Sequence, residues 1–310
     1  MKYIPYANTN KLASRISFGG WQLGNNEFWG EMTHSEGVEL VKQAYTKGIT
    51  LFDTAPGYSG GESEKIIGEA LHAVREKVII NSKIGHKANG LTDFSVNSMK
   101  EQIKDSLARL NTDYLDSVVL HNPGMEILSG NSGHFIELEK LKNEGLIRAY
   151  GVSIDTHREL LEVLNKTDVQ VVEILFNVFF QSPLSLFDVA KTKGITLIIK
   201  VPLDSGWLSG KYNEFSSFDG IRSRWDKPTI ERRAYLVNKM KQITNDDNLT
   251  KYAISFILSF DSITSVITGI KNFKQLQENI NAESFILNDE IKNELLKLYD
   301  EEIKDQPLQW

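Results

Sequence analysis

The sequence predicts an α/β fold: a (β/α)8 barrel of the TIM type, forming a single domain over residues 1–310. Three observations carry this. Eight short apolar runs alternate with longer amphipathic segments along the whole chain. Each run is rich in Ile, Val, Leu or Phe, as in strands buried on both faces. Strict alternation of strand and helix implies parallel strands with right-handed crossovers, and 310 residues is an ordinary length for a closed barrel. An open doubly wound sheet is the alternative, but it needs a G-x-G-x-x-G turn after its first strand. Here "ISFGGWQLGNN" offers Gly19, Gly20 and Gly24 at the wrong spacing, with Trp21 between them.

The elements follow in order. "RISFGG" is the first strand. "HSEGVELVKQAYTKG" is a helix capped at His34 or Ser35 and stopped at Gly48. "ITLFDTA" and "KVIINSKIG" are the second and third strands. "SVNSMKEQIKDSLARLN" is a helix that starts at Ser95 or with the capping pattern Ser98-to-Glu101, and Met99, Ile103, Leu107 and Leu110 recur at helical spacing. "YLDSVVLHN", "IRAYGVSID", "VQVVEILFN" and "ITLIIKVP" are the next four strands, alternating with the helices "HFIELEKLKNEG", "THRELLEVLN" and "SLFDVAKTKG". Residues 205–229 are the longest irregular segment, the expected place for a lid. "ITSVITGI" is the eighth strand, with a helix beginning near Asn272.

Composition narrows the chemistry. The hydrophobic fraction of 41% and charged fraction of 25% are those of a soluble globular protein. Without cysteine, disulfides, thiolate metal sites and cysteine nucleophiles are excluded. A net charge of −6 with no basic cluster argues against nucleic acid or an anionic membrane as partner. The N-terminal stretch lacks the apolar core of a signal peptide and no run is long enough to span a bilayer, so the expected location is cytoplasmic. Histidine-rich metal-ligand spacing is absent, and no metal is expected.

In such barrels chemistry sits at the C-terminal ends of the strands. The second strand ends in Asp53, with Tyr58 in the glycine-rich loop behind it. The third carries Lys83, and the fourth ends in His121. Each alone reads as a turn former, a surface residue or a core histidine, but together they place an acid, a phenol, an amine and an imidazole on three neighbouring strands. A phenol titrates near 10, and a nearby ammonium lowers that value. Lys83 would play this part, held charged by Asp53. His121 would orient a carbonyl oxygen, and Tyr58 would give it a proton.

These residues resemble the aldo-keto reductases over nearly the whole chain. "FDTAPGYSGGESEKIIGEAL" is similar to that family's first signature, "VIINSKIG" to its lysine strand and "YLDSVVLH" to its histidine strand. "VPLDSGWLSGKY" and "SVITGIKNFKQLQENI" are similar to its two late cofactor segments. The resemblance implies a barrel that binds NADP(H), with NAD(H) as the alternative, and exchanges hydride with aldehydes, ketones or alcohols. It implies Tyr58 as general acid, with Asp53, Lys83 and His121 as partners. Oxidation of a sugar or alcohol, or redox sensing on a larger assembly, are the alternatives. For the cofactor it implies Gly20 and Trp21 after the first strand, Asp53 at the ribose and Ser153 at the nicotinamide amide. Pro202, Leu203, Ser205 and Leu208 would run along the pyrophosphate. Thr268, Gly269, Lys271 and Gln275 would meet the adenosine phosphate, and Glu278 and Asn279 the adenine.

Three positions depart from the family's pattern, all around the nicotinamide. Ile154 follows Ser153 where Asn is common, Glu173 replaces Gln, and Lys200 replaces a stacking aromatic. A buried carboxylate needs a partner, so Glu173 and Lys200 are expected to pair. Trp21, Phe28, Trp29, Phe176, Phe179, Trp207, Phe215, Phe218 and Trp225 are the aromatics available to a substrate pocket. Arg222 and Arg224 lie either near that pocket or in surface ion pairs.

Overall fold

The computed structural model describes residues 1–7, 9–26 and 30–309. The chain opens with an antiparallel hairpin, β1 (Tyr3–Pro5) and β2 (Leu12–Ser14). Eight parallel strands then close into a barrel: β3 (Ile16–Gly19), β4 (Leu51–Asp53), β5 (Ile79–Ile84), β6 (Ser117–His121), β7 (Tyr150–Ile154), β8 (Val171–Leu175), β9 (Thr196–Lys200) and β10 (Ser265–Gly269). Neighbours in sequence are neighbours in the sheet, and β10 closes the ring between β9 and β3, with Val266 opposite Ile16. All eight predicted runs are strands of this ring.

Two layers of core hold it. Inside the barrel, Leu51, Ile79, Val119, Ala149, Val171, Ile198 and Ile267 pack with Tyr6 and Ala7, which the hairpin turn lowers into the base. Tyr6 is fully buried, and Ala7 N–H donates to Thr196 Oγ1 at 2.9 Å. Outside, the opposite faces of the strands pack on the helices, through residues such as Phe52, Ile66, Val118 and Leu138. Each such side chain, taken fully out of water, contributes about 1.5–3 kcal/mol.

Helix starts differ from the sequence expectation in two places. The cap of the helix His34–Thr46 is Thr33, not His34 or Ser35: Thr33 exchanges hydrogen bonds with Glu36 in a capping box. Ser98 does not cap the helix Met99–Leu110. A 3-10 turn, Val96–Ser98, leads into that helix and gives Ser98 helical backbone angles, so its hydroxyl donates instead to the Ser95 carbonyl. Met99, Ile103, Leu107 and Leu110 are buried as their spacing predicts. The helix Phe273–Ser284 begins at Asn272, whose side chain accepts from the Gln275 N–H.

The long segment after β9 is more ordered than its composition suggests. It holds two 3-10 turns, Asp204–Ser209 and Gly220–Arg224. Trp207, Tyr212, Phe218 and Trp225 pack edge to face and tilted, with ring centroids from 4.9 to 5.9 Å apart. Beneath them the fully buried Arg233 donates to Asp204 at 3.0 Å. Among the described residues, no helix is long and apolar enough to cross a membrane.

Candidate active site

Strand periodicity decides what the barrel mouth holds. Successive side chains alternate between the two faces of a strand. Leu51 faces inward, and so does Asp53 two residues on. In the same way Ile79 brings Asn81 and Lys83, Val119 brings His121, Val171 brings Glu173, and Ile198 brings Lys200. The apolar members fill the base and the polar members crowd the rim.

Lys83 is fully buried and donates to both oxygens of Asp53 at 2.6 Å and to the Thr54 carbonyl at 3.1 Å. Burial works against its charge, but Asp53 and then Glu173 outweigh it and hold the ammonium well above its ordinary range. Burial, with Glu173 beside it, pushes Asp53 up to about 7, against the pull of Lys83. Residues 55–57 turn the chain so that Tyr58 N–H donates to the Ala55 carbonyl at 3.1 Å. Ser59, Gly60 and Gly61 follow with positive φ angles of 51, 62 and 91°, which favours glycine at two of the three positions. Tyr58 is thereby set over the ion pair, with the Lys83 nitrogen 5.3 Å from its ring centroid.

One expectation is reversed here. Burial raises the Tyr58 phenol above its usual value, and the lowering by Lys83 does not overcome it because Asp53 and Glu173 raise it as well. Tyr58 therefore keeps its proton at neutral pH. His121 meets Tyr58 edge-on, ring centroids 6.1 Å apart. Burial, then the charge of Lys83, lowers its pKa well below the ordinary range, so it is neutral. Its Nδ1 is buried and has no hydrogen-bond partner among the described residues.

The predicted Glu173–Lys200 pair does not form. Lys200 instead donates to Asn122 Oδ1 at 2.8 Å and Ser153 Oγ at 2.9 Å, and pairs with Asp155 at 2.9 Å. Asp155 stands in the loop directly after β7, at the rim, whereas Glu173 on the adjacent strand pairs in register with Ile198, two residues below Lys200. Glu173 turns down to Lys83, 3.3 Å from its nitrogen, and accepts from Ser153 Oγ at 3.2 Å.

These groups floor a cleft of about 1510 Å³ along the C-terminal ends of the strands. Trp21, Asp53, Tyr58, His121, Glu173 and Lys200 line its deep end. Pro202, Leu203 and Ser205 line its middle, and Gly269, Lys271, Gln275, Glu278 and Asn279 its far end. The remaining predicted positions do not line it. Gly20 packs against Ser63, where a Cβ would come within 2.6 Å of the hydroxyl. Ser153, Leu208 and Thr268 are fully buried, and Thr268 donates to the Ser17 carbonyl. Of the aromatics proposed for the substrate side, Trp21 lines the cleft. Phe176 and Phe179 are core, Trp207, Phe218 and Trp225 belong to the loop cluster, and Phe215 is exposed. Phe28 and Trp29 lie outside the described residues. Arg222 and Arg224 do line the cleft, and Arg222 donates to the Tyr212 hydroxyl at 2.8 Å.

Sequence reasoning missed Asn81, Asn122, Asp155 and the supports below them. Ser117 Oγ donates to Asn81 Oδ1 at 2.6 Å, and Tyr6 hydroxyl lies 2.6 Å from Ser117. Since Ser117 gives its proton to Asn81, Tyr6 donates to Ser117. The available signal was the parity of Asn81 with Lys83 on one strand face.

The family model for the aldo/keto reductase family matches residues 15–300. The chain belongs to this family. The aldo/keto reductase relatives include L-galactose dehydrogenase of Arabidopsis thaliana, 30% identical with 89% of this chain and 86% of that one covered. NADH-specific methylglyoxal reductase of Escherichia coli (strain K12) is 26% identical, covering 93% and 95%. Among solved structures, the glycerol dehydrogenase of Gluconobacter oxydans shares the fold with a TM-score of 0.80 at 22% identity, covering 97% and 96%. The aldo/keto reductase barrel and its oxidoreductase class are therefore those of this chain.

Proposed function

We propose that the cleft binds a nicotinamide dinucleotide and that the protein reduces an aldehyde or ketone to an alcohol, with Tyr58 as general acid. The observation that carries this reading is the buried Asp53–Lys83 pair set under Tyr58 with a neutral His121 beside it. The cleft, about 1510 Å³, runs from Trp21 and Tyr58 to Lys271 and Asn279, and Lys271 and Lys274 flank the helix N-terminus at its far end, a favourable seat for phosphate.

When bound, the dinucleotide supplies the hydride that attacks the carbonyl carbon. Tyr58 gives its proton to the carbonyl oxygen as negative charge develops there. Its raised pKa keeps that proton in place until it is needed, and Lys83 stabilises the phenolate left behind. His121, uncharged, points a ring nitrogen at the same oxygen and fixes its approach. Asp53 holds Lys83 protonated. Glu173 takes the carboxamide, with Ser153 bonded behind it, and Pro202, Leu203 and Ser205 follow the pyrophosphate with Leu208 packed beneath them. Gly269, Lys271, Gln275, Glu278 and Asn279 take the adenosine end, with Thr268 buried behind Gly269, and Trp21 closes the near wall with Gly20 packed behind it. NADP(H) is the cofactor we assign, on the strength of Lys271 at the position of the 2′-phosphate, with NAD(H) as the competitor.

Tyr58→Phe tests the role of the phenol. Turnover of NADPH with an aldehyde panel should fall by about 10²–10⁴-fold, while the dinucleotide titrated by tryptophan quenching binds as in the wild type. Near-normal turnover would remove Tyr58 from the mechanism. Parallel NADPH and NADH titrations decide the cofactor.

A further inference from the structure

Lys83 is shared by two carboxylates. Its nitrogen is 2.6 Å from both oxygens of Asp53 and 3.3 Å from Oε2 of Glu173. Asn81 ties the two acids together, donating to Asp53 Oδ1 at 2.7 Å and to Glu173 Oε2 at 3.5 Å. The side chains of Lys83, Asp53 and Glu173 are 0%, 4% and 3% exposed.

The neighbouring groups do not balance this set. Lys200, on β9, is closed by Asp155. His121, on β6, is neutral, and His86 stands beyond it with ring centroids 5.1 Å apart. Tyr58 above and Tyr6 below keep their protons. One negative charge is left at the floor of the cleft. A buried, uncompensated charge is costly, and it has two remedies: the carboxylates take up a proton, or a cation comes to rest beside them.

We propose that Glu173 makes the deep end of the cleft selective for a cation, so that it holds the oxidised, positively charged nicotinamide more tightly than the neutral reduced ring. This rests on the dinucleotide reading above and deepens it. Glu173 is then a specificity-determining residue for the redox state of the cofactor. A glutamine there can accept from Asn81 and donate to Ser153 Oγ, which reverses the second bond, and it loses the charge.

The two remedies compete, which gives the effect a pH signature. With Asp53, pushed up to about 7, holding a proton below neutrality and releasing it above, the preference for the oxidised ring grows as pH rises from about 6 to about 8.

The test titrates oxidised and reduced NADP and NAD by fluorescence quenching against the wild type, Glu173→Gln and Glu173→Asp, at several pH values. Glu173→Gln should weaken the oxidised form by about tenfold and leave the reduced form within about threefold, a size expected of one charge at partly screened distance. Glu173→Asp keeps the charge and should keep the preference. A tenfold change in that affinity ratio is a shift of about 30 mV for a two-electron couple, toward a stronger reductant when the oxidised form is favoured. If the two forms change alike in Glu173→Gln, or the wild-type ratio is flat with pH, the inference is overturned while the cofactor reading stands. The pH series needs no variant, so it decides even if Glu173→Gln does not fold. If neither redox form of either dinucleotide binds the wild type, the cofactor reading falls, and the inference falls with it.

Discussion

Two cations in this molecule each stand between two carboxylates. Lys83 lies in the barrel between Asp53 and Glu173. On the surface, His34 reaches Glu62 at 2.6 Å and Glu69 at 3.0 Å. The surface set has a second base, Lys65, 3.3 Å from Glu62, and its surroundings are opposite. The side chains of His34, Glu62 and Glu69 are 41%, 32% and 62% exposed, so water screens their charges and the contacts are worth little. In the barrel there is no such screening, and the surplus has to be met by a proton or by a bound cation. A base set between two acids is therefore decoration in one place and a chemical instruction in the other.

The comparison can be broken most sharply at Lys83. Lys83→Met should lower turnover by about 10²–10⁴-fold and, by stranding two buried acids, lower stability by about 3–5 kcal/mol, read from urea unfolding. Adding Glu173→Gln to Lys83→Met should recover part of that stability, because one of the two stranded charges is gone. An additive double mutant would mean that Lys83 and Glu173 do not share charge.

A pH series probes the same set without changing its lysine. Asp53, pushed from 3.8 up to about 7 in the folded protein, keeps a proton that the unfolded chain releases. Its contribution is full below about 4 and is lost as pH rises through about 7. Glu173→Gln removes the second carboxylate, so the fall in melting temperature over that interval should shrink.

The smallest effect is expected at the surface. Hydrogen bonds donated to Glu62 and then to Glu69 raise the pKa of His34. Its stabilisation is present below the unfolded imidazole value and fades as pH rises through the folded one. His34→Ala should cost a few tenths of a kcal/mol at pH 5.5 and nothing measurable at pH 8.5, compared by thermal melts. A loss as large as that of Lys83→Met would erase the contrast.

The barrel was legible because its strands are continuous apolar runs, a pattern that depends on each strand alone. The hairpin β1–β2 was not legible: its strands are three residues each, one of them ending in a proline, too short for a period to show. Asp53, Tyr58, Lys83 and His121 could be read together because strand ends converge in this fold. Glu173 and Lys200 stood out because they depart from the residues common in the family, but their partners could not be read. Pairing depends on how far each side chain reaches across the ring, and Asp155, a loop residue of unremarkable type, wins Lys200. Ser98 shows the same limit on a small scale, since the turn before a helix decides whether a good capping residue caps.

The closure of the ring has a consequence in time. Ile16 pairs with Val266, and Ala7 seals the base against Thr196, so this early segment meets those partners only after most of the 310 residues have emerged from the ribosome. Contacts this far apart in sequence slow folding, since the loop between them must close first. Until β10 arrives, β3 and β9 present unpaired edges, and the nascent barrel is an open sheet exposed to misassociation. Synthesis rate and chaperone supply, more than final stability, should govern how much of this protein a cell recovers in working form.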